Sequence, residues 1–369
     1  MGRYEGGEVE SLPRLFFRNR AAGALAVRKE LSYHVKTLRE FGFDMAGRKN
    51  TDGSIYDVAK ASGVSIGTVS RVFNRRPDVA EATRSLVLDA AKRVNYMPRI
   101  SRRRTNIGLF VQEIEKANQV GFISQTVSTL AKHMALNDTV LEFIPVDDVD
   151  HVYRNYIRGV IAVVFGGDYA SLRSLKNIPV VFINNLVEGQ GNIYSVASDH
   201  AEGARLATEH LIARGHRQIG FLEVMKDLWG SQERQRGYGE AFRKARLKVP
   251  ENLMRFCAQR PTREVLQELL AEKITALLVC GEDLSLEVNQ ILTHELNVRI
   301  PDDLSLITYE VPLVSRLMSP PQTTVSQPWD DIGRTAIATI LSLVQYPRSV
   351  PPSILLPNRL IERSSVKSL

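Results

Sequence analysis

The chain has 369 residues, enough for a small module joined to a larger domain, and 44% of them are hydrophobic, which excludes a wholly disordered protein. No apolar run approaches the roughly 20 residues of a membrane helix, and the N-terminus lacks the pattern of a secretory signal, so we expect a cytoplasmic protein without membrane contact. Positive charge is concentrated at one end, because residues 1–106 hold 21 Lys and Arg against 11 Asp and Glu, whereas residues 107–369 hold 27 against 30. This division indicates a basic N-terminal head that binds a polyanion and is attached to a slightly acidic body. A basic surface that is only solvated would give the same division.

Residues 1–50 show no sustained hydrophobic period, and we treat them as an extension that is either not translated or disordered. The run from Met45 to Lys49 would make a normal start for the residues that follow. We therefore expect translation to begin at Met45. Mass spectrometry of the native N-terminus tests this hypothesis, and an intact segment over residues 2–44 would contradict it.

Residues 51–98 predict a helix-turn-helix domain. Between Ile55 and Asn74, apolar residues recur at helical spacing in two short blocks that are separated by Gly63. Glycine adopts the left-handed backbone of a tight turn without a steric cost, and Ser65 can cap the second helix. A third helix is predicted from about Ala80 to Asn95.

The run from Asp57 to Asn74, DVAKASGVSIGTVSRVFN, resembles the DNA-binding head of the LacI/GalR family of bacterial regulators. In that family the second helix enters the major groove, and its early residues read bases. The resemblance therefore implies that Ile66, Gly67 and Arg71 face the base edges, where an arginine can bond bidentately to guanine. The groups that it implies for phosphate contacts, which set register without reading sequence, are Tyr56, Ser65, Thr68, Ser70 and Asn74.

Residues 99–106 form a short basic linker. The triplet Arg102, Arg103 and Arg104 can neutralise phosphates. Members of the family usually carry a longer hinge helix with an Ala-Arg-x-Leu pattern, and that pattern is missing here. The departure leaves room for a different route of communication between the head and the rest of the chain.

From residue 107 onward, apolar strand-like runs alternate with helical segments. The runs are Ile107–Val111, Val140–Ile144, Val160–Phe165, Val180–Ile183, Ile219–Leu222, Ala276–Cys280 and Leu304–Thr308. Such alternation predicts βαβ units and parallel sheets, with ligands bound at the carboxyl ends of the strands. We expect two doubly wound lobes.

The family resemblance continues through this region and covers about residues 54–366. Its firmest stretches include residues 207–220, 233–238, 300–305 and 320–328. It implies an all-α helix-turn-helix head followed by an α/β, two-lobed sensor domain with the periplasmic-binding-protein fold over residues 107–369. The N-lobe would comprise about residues 107–198 and 323–353, and the C-lobe about residues 199–322 and 354–369.

Ligands in the cleft of this family are mostly sugars or purines, so the resemblance implies a small, sugar-like effector. Position matching gives six effector-binding candidates: Arg234, Asp283, Glu282, Glu310, Asp199 and Trp229. Arg234 stands in an Arg-x-x-Gly-Tyr motif, where it either donates to hydroxyl groups or forms a structural salt bridge. Glu282 replaces the asparagine of the family's Asn-Asp pair, Glu310 matches an aspartate, and Trp229 either stacks on a sugar or packs in the structure.

The whole pattern predicts a transcription regulator, expected to be a repressor, that binds a double-stranded DNA operator as a homodimer and responds to an effector. Two alternatives are a solute-binding protein without DNA activity and a ligand-blind repressor with a decayed cleft. An enzyme is disfavoured, because the sequence contains no Gly-rich phosphate loop, metal cluster or nucleophile elbow. We expect no cofactor and no metal, and Cys257 and Cys280 lack partners at metal-ligand spacing.

Overall fold

The computed structural model describes most of the chain from residue 53 onward. The described residues are 53–73, 76, 78–96, 105–112, 114, 121–137, 139–145, 148–165, 170–186 and 191–369. The predicted extension over residues 1–50, the basic triplet Arg102, Arg103 and Arg104, and the phosphate candidate Asn74 lie outside them. Those predictions are not tested by the structure.

The N-terminal head consists of three helices, as predicted: α1 (Ile55–Ser62), α2 (Ile66–Phe73) and α3 (Glu81–Arg93). Helix α1 begins at a capping box, in which the Asp57 amide donates to the Ser54 hydroxyl at 3.3 Å and the Ser54 amide donates to the Asp57 carboxylate at 2.8 Å. The helix ends at Gly63, whose φ of 69° lies in the left-handed region that favours glycine. Local sequence therefore sets both ends of α1.

The core of the head is built from valines on all three helices. Val58, Val69, Val72 and Val87 are completely buried. Since α1 and α2 are each only eight residues long, their stability depends on this packing rather than on helix propensity.

The first sheet of the body has six strands in the order β11-β5-β4-β3-β1-β2. The strands are β1 (Asn106–Val111), β2 (Val140–Ile144), β3 (Gly159–Val163), β4 (Val180–Ile183), β5 (Ile193–Ser198) and β11 (Ser353–Leu356). Every pair of neighbours is parallel. Ile107 lies opposite Leu141 on one side and Gly159 on the other, so β1, β2 and β3 begin at the same edge.

Helices cover both faces of the first sheet. They are α4 (Phe122–Leu136), α5 (His151–Arg154), α6 (Ala170–Arg173) and α11 (Trp329–Gln345). Successive residues of a strand point to opposite faces. Leu109 accordingly packs with Leu130 of α4 and Ile337 of α11, whereas Phe110 packs with Ile157 on the other face.

The second sheet also has six strands, in the order β12-β10-β9-β8-β6-β7. The strands are β6 (Ile219–Glu223), β7 (Met254–Phe256), β8 (Ala276–Val279), β9 (Ser305–Tyr309), β10 (Thr323–Ser326) and β12 (Arg359–Ile361). They are parallel except for β12, which runs antiparallel to β10. The connecting elements are α7 (His200–Ala213), α8 (Trp229–Lys244), α9 (Thr262–Ala271), α10 (Glu282–Gln290), a 3₁₀ turn (Glu251–Leu253) and a π-helical turn (Ile291–Glu295).

The chain passes between the two sheets after Ser198, after Ser326 and after Leu356. These crossings place β10 in the second sheet and β11 in the first. The short strand β10 is fully paired within the second sheet, although its sequence does not reveal which sheet it joins. The body is therefore a two-lobed α/β structure, as predicted.

Within the described residues, no helix is both long enough and apolar enough to cross a membrane. The same part of the chain contains no cluster of three or more His, Cys, Asp or Glu residues arranged to hold a metal ion.

Candidate functional site

Helix α2 presents one buried face and one exposed face. Val69 and Val72 are completely buried on the side that packs into the head. On the other side Ile66 is 43% exposed. A Cβ added to Gly67 would contact nothing closer than the Ser65 hydroxyl at 3.7 Å, so its surface is open. The predicted base readers therefore share an accessible face of one helix.

The start of α2 is fixed by Ser65. Its hydroxyl accepts a hydrogen bond from the Thr68 amide at 3.1 Å and lies 2.9 Å from the Thr68 hydroxyl. Such a cap satisfies one of the orphan amides of the first turn. The remaining amides are the group that a helix offers to a phosphate.

Arg71 extends from the exposed face of α2. Its Nη1 lies 4.0 Å from the Asp78 carboxylate, and both side chains are 61% exposed. Pairs of this kind contribute little to stability. The guanidinium group is therefore available to a base at small cost. Of the other predicted phosphate contacts, Tyr56 is 68% exposed at the start of α1, as a surface contact requires.

A second group of polar residues lies at the carboxyl ends of the strands of the second sheet. Arg234, on α8, donates from Nε to the Glu223 carboxylate at 2.6 Å, and the two side chains are only 13% and 6% exposed. Burial raises the pKa of Glu223, while the nearby guanidinium acts in the opposite direction. The Glu223 carboxylate holds the pKa of Arg234 above its ordinary value, and the 2.6 Å contact has the geometry of an ion pair.

Two aromatic rings, those of Tyr309 and His200, contact the guanidinium group of Arg234. The Arg234 guanidinium lies 5.5 Å from the centre of the Tyr309 ring. Burial, helped by the charge of Arg234, moves the pKa of His200 well below its ordinary value, so its neutral ring accepts from Arg234 Nη1 at 3.3 Å. Trp229 packs edge-on against His200 with the ring centres 5.3 Å apart. Arg234 is thus held in place by Glu223, His200 and the Tyr309 ring.

Glu282 lies close to this pair at the first position of α10. Burial raises its pKa to about 6. Gln327 donates to its carboxylate at 2.6 Å and in turn accepts from Asn184 at 2.6 Å and Ser198 at 2.7 Å. Asn184 follows β4 and Ser198 is the last residue of β5, both in the first sheet, so this chain of hydrogen bonds joins the two lobes.

Asp283 also bridges the lobes. A Cβ added to Gly121, directly before α4 of the N-lobe, would lie 2.1 Å from a carboxylate oxygen of Asp283. Only a glycine allows that approach. The carboxylate lies at the N-terminus of α4, where the helix dipole favours negative charge.

Two predicted effector contacts have other partners in the structure. The Asp199 carboxylate accepts from the Glu202 amide at 2.9 Å and caps α7. Both oxygens of Glu310 accept from Arg363 at 2.9 Å, and one also accepts from Thr324. The structure therefore brings Arg234, Glu282, Asp283 and Trp229 together, while Asp199 and Glu310 hold neighbouring elements in place.

Sequence reasoning missed Glu223, Gln327 and Asn184. A glutamate at the end of the buried apolar strand β6 is a signal that could have identified Glu223. The two amides carry no such signal, because an isolated Asn or Gln in a loop is ordinary.

Comparisons with known proteins cover both parts of the chain. A family model described as bacterial regulatory proteins, lacI family, matches residues 54–99. A second model, described as a periplasmic binding protein-like domain, matches residues 208–366. The HTH-type transcriptional repressor PurR of Escherichia coli O1:K1 / APEC is 28% identical over 330 residues, covering 85% of this chain and 96% of that protein.

Two similar solved structures extend the comparison. A complex of the transcriptional regulator CelR with cellobiose is 25% identical with a TM-score of 0.61, covering 85% of this chain and 99% of that one. The lac repressor dimer bound to operator and the anti-inducer ONPF is 26% identical with a TM-score of 0.61, covering 86% of this chain and all of that one. The predicted fold class, a helix-turn-helix head followed by a periplasmic-binding-protein-like domain, is confirmed.

Proposed function

We propose, since the chain belongs to the lacI family of bacterial regulatory proteins, that it represses transcription by binding one duplex DNA operator under the control of a small molecule. The matched relatives are regulators rather than enzymes, in agreement with the prediction that the chain carries no catalytic site. A solute-binding protein without DNA activity is disfavoured by the head.

One observation carries the DNA-binding part of the proposal. Helix α2 buries Val69 and Val72 while it leaves Ile66, Gly67 and Arg71 accessible on one face. A helix with this division can enter the major groove without losing its own packing. Phosphate contacts from residues such as Tyr56 would then fix its register.

The dimer is proposed by analogy with a relative. The similar lac repressor structure is a dimer bound to its operator. A two-fold symmetric pair of heads reads a pseudo-palindrome, with the half-sites separated by about one helical turn or a multiple of it. We expect the same arrangement for this chain.

Selection from a pool of random duplex oligonucleotides tests the proposal. We expect the purified full chain to enrich two inverted copies of one short sequence. Binding should fall steeply as the salt concentration rises, because phosphate contacts release counterions. If no duplex sequence is enriched, the regulator function fails and the solute-binding alternative gains support.

The effector is proposed to lie against Arg234, Glu282, Asp283 and Trp229. The group places three carboxylates, those of Glu223, Glu282 and Asp283, around the guanidinium of Arg234 and the start of α4. Carboxylates accept hydrogen bonds from hydroxyl groups, whereas they repel a phosphate ester. We therefore propose an uncharged sugar-like effector, and we note that the similar CelR structure contains cellobiose.

Thermal unfolding of the full chain in the presence of matched ligands tests the effector class. We expect cellobiose or ribose to raise the melting temperature and ribose 5-phosphate to leave it unchanged. A ligand at a hundred times its Kd adds about 2.7 kcal/mol to the free energy of unfolding. Glu282→Gln should reduce the shift, and the control Glu272→Gln, at an exposed position, should keep it. No shift with any of these compounds would favour the ligand-blind repressor.

A further inference from the structure

Tyr156 belongs to the N-lobe, but its side chain lies in the hydrophobic core of the head. It precedes β3 and is only 6% exposed. It packs in one cluster with Val58 and Val87, and its ring centre lies 5.7 Å from that of Phe73 in an edge-on arrangement. A residue of the sensor therefore completes the core of the DNA-reading domain.

The backbone of Tyr156 is adapted to this position. Its φ of 54° lies in the left-handed region, which a bulky aromatic residue seldom adopts. Such a conformation persists only when the surrounding contacts determine it, and it is concentrated at functional sites. Here the conformation ends α5, because the Ile157 amide donates to the Val152 carbonyl oxygen at 2.9 Å and the Tyr156 amide to the Tyr153 carbonyl oxygen at 3.4 Å, and it leaves the Tyr156 ring in the core of the head.

The hydroxyl group of Tyr156 contacts helix α2 directly. It donates to the carbonyl oxygen of Val72 at 3.1 Å. The last carbonyls of a helix have no partner within the helix. The hydrogen bond satisfies one of them, which also accepts a longer bond from Arg84 at 3.5 Å, and it ties the C-terminal end of the helix that carries Arg71 to the N-lobe.

A second contact holds helix α3 against the same segment of the N-lobe. Lys92 forms an ion pair with Asp150, and its Nζ lies 5.5 Å from the centre of the Tyr153 ring. Both charged groups are about half exposed, so this contact orients the head more than it stabilises it. The head is thus held at two separated points.

The topology of the first sheet explains why the contact forms here. Strands β1 and β3 are parallel neighbours and begin at the same edge. The chain enters β1 from the head at this edge, and Tyr156 lies just before β3. The hydrogen-bonded residues Asn184 and Ser198 lie at the opposite edge, where β4 and β5 end.

We propose that Tyr156 is a positioning residue for operator recognition, through which the sensor holds helix α2 by direct contact. The inference rests on the proposed DNA-binding function. In a dimer, heads that are fixed to their N-lobes present two reading helices at one set separation. Heads that are released from that contact bind a half-site as before but tolerate changes in the separation.

Binding to matched duplexes tests this role. The duplexes are the selected operator, the same operator with an extra base pair between its half-sites, and a single half-site. For the unaltered chain we expect strong binding to the operator alone. For Tyr156→Ala we expect about tenfold weaker binding to the operator, because the hydrogen bond to Val72 and the ring packing against Phe73 are both lost. We also expect a much smaller penalty for the inserted base pair and unchanged binding to the half-site.

Tyr156→Phe removes only the hydroxyl group. Its operator affinity and its penalty for the inserted base pair should lie between those of the unaltered chain and those of Tyr156→Ala. Tyr194→Phe is the matched control, because Tyr194 is equally buried in the N-lobe but packs in the core of the first sheet. It should behave like the unaltered chain. Hydrogen exchange should rise over residues 66–73 in Tyr156→Ala and stay unchanged in β1 and β3.

Two results would overturn the inference while the proposed function stands. One is that Tyr156→Ala keeps the affinity and the spacing preference of the unaltered chain. The other is that it binds every duplex more weakly by the same factor, with faster exchange in β1 and β3, which is the behaviour of a destabilised lobe. If the unaltered chain selects no DNA sequence, the proposed function fails and this inference fails with it.

Discussion

Arg234→Ala is expected to lower the free energy of unfolding by about 3–5 kcal/mol, the usual cost of removing one partner from a buried ion pair. The substitution leaves the Glu223 carboxylate, which is 6% exposed on its side chain, without its cation. It also removes the guanidinium from the Tyr309 ring. Urea denaturation of the full chain at neutral pH measures the loss.

Arg236→Ala is the matched control on the same helix. Arg236 pairs with Glu233 and Glu240, but its side chain is 49% exposed, so we expect a loss below about 1 kcal/mol. The double variant with Glu223→Gln should recover part of the stability lost in Arg234→Ala, because the buried charge is gone. If Arg234→Ala and Arg236→Ala lower the free energy of unfolding by the same small amount, Arg234 and Glu223 do not form a buried ion pair.

Arg71→Ala is expected to relax sequence preference at one base pair of each half-site. A bidentate contact to guanine supplies about 1–3 kcal/mol of discrimination, which corresponds to roughly 5- to 150-fold in relative affinity. The weak pairing with Asp78 at 4.0 Å means that little stability is lost with the side chain. Selection from random duplexes with both chains measures the change at each position.

Lys60→Ala is the control for this experiment. Lys60 is an exposed cation of α1 and is not among the predicted base readers. Its removal should lower the affinity for all sequences or leave it unchanged, and it should keep the preferred sequence. A preferred sequence that survives Arg71→Ala would show that another residue reads the base.

The two predictions concern different domains of the chain. Arg234 lies at the carboxyl ends of the strands of the second sheet, and Arg71 lies on the surface of the head. Substitutions that are far apart and share no partner normally add in their effects on stability. If the change in operator-binding free energy of the Arg71→Ala, Arg234→Ala double variant differs from the sum of the two single changes, the region around Arg234 and the head are coupled.

The sequence alone determined the helices of the head and most strands of the body. Gly63 and Ser65 mark the turn and the cap through local backbone chemistry, and both act as predicted. The runs Val140–Ile144 and Val180–Ile183 are strands with the predicted bounds. These features were predictable because hydrophobic periodicity and turn preferences depend on residues that are neighbours in the chain.

The hydrophobic pattern of some strands was too weak to predict them from the sequence. Strand β5 has the sequence IYSVAS, in which polar residues interrupt the apolar run, although it is buried throughout. Strands β7 and β12 lie at the edges of the second sheet and are three residues long. Because short edge strands are only partly buried, their sequences need not be apolar.

Only the tertiary structure decided which charged groups meet. The sequence left two roles open for Arg234, a ligand contact or a salt bridge. Its partner Glu223 is identified only by the packing of β6 against α8. Glu310 and Arg363 are paired across more than fifty residues of chain. The contact of Tyr156 with Val72 joins segments that are 84 residues apart. Local periodicity determines an element, whereas the partner of a buried polar group depends on where distant elements come to lie, and that information is not local in the sequence.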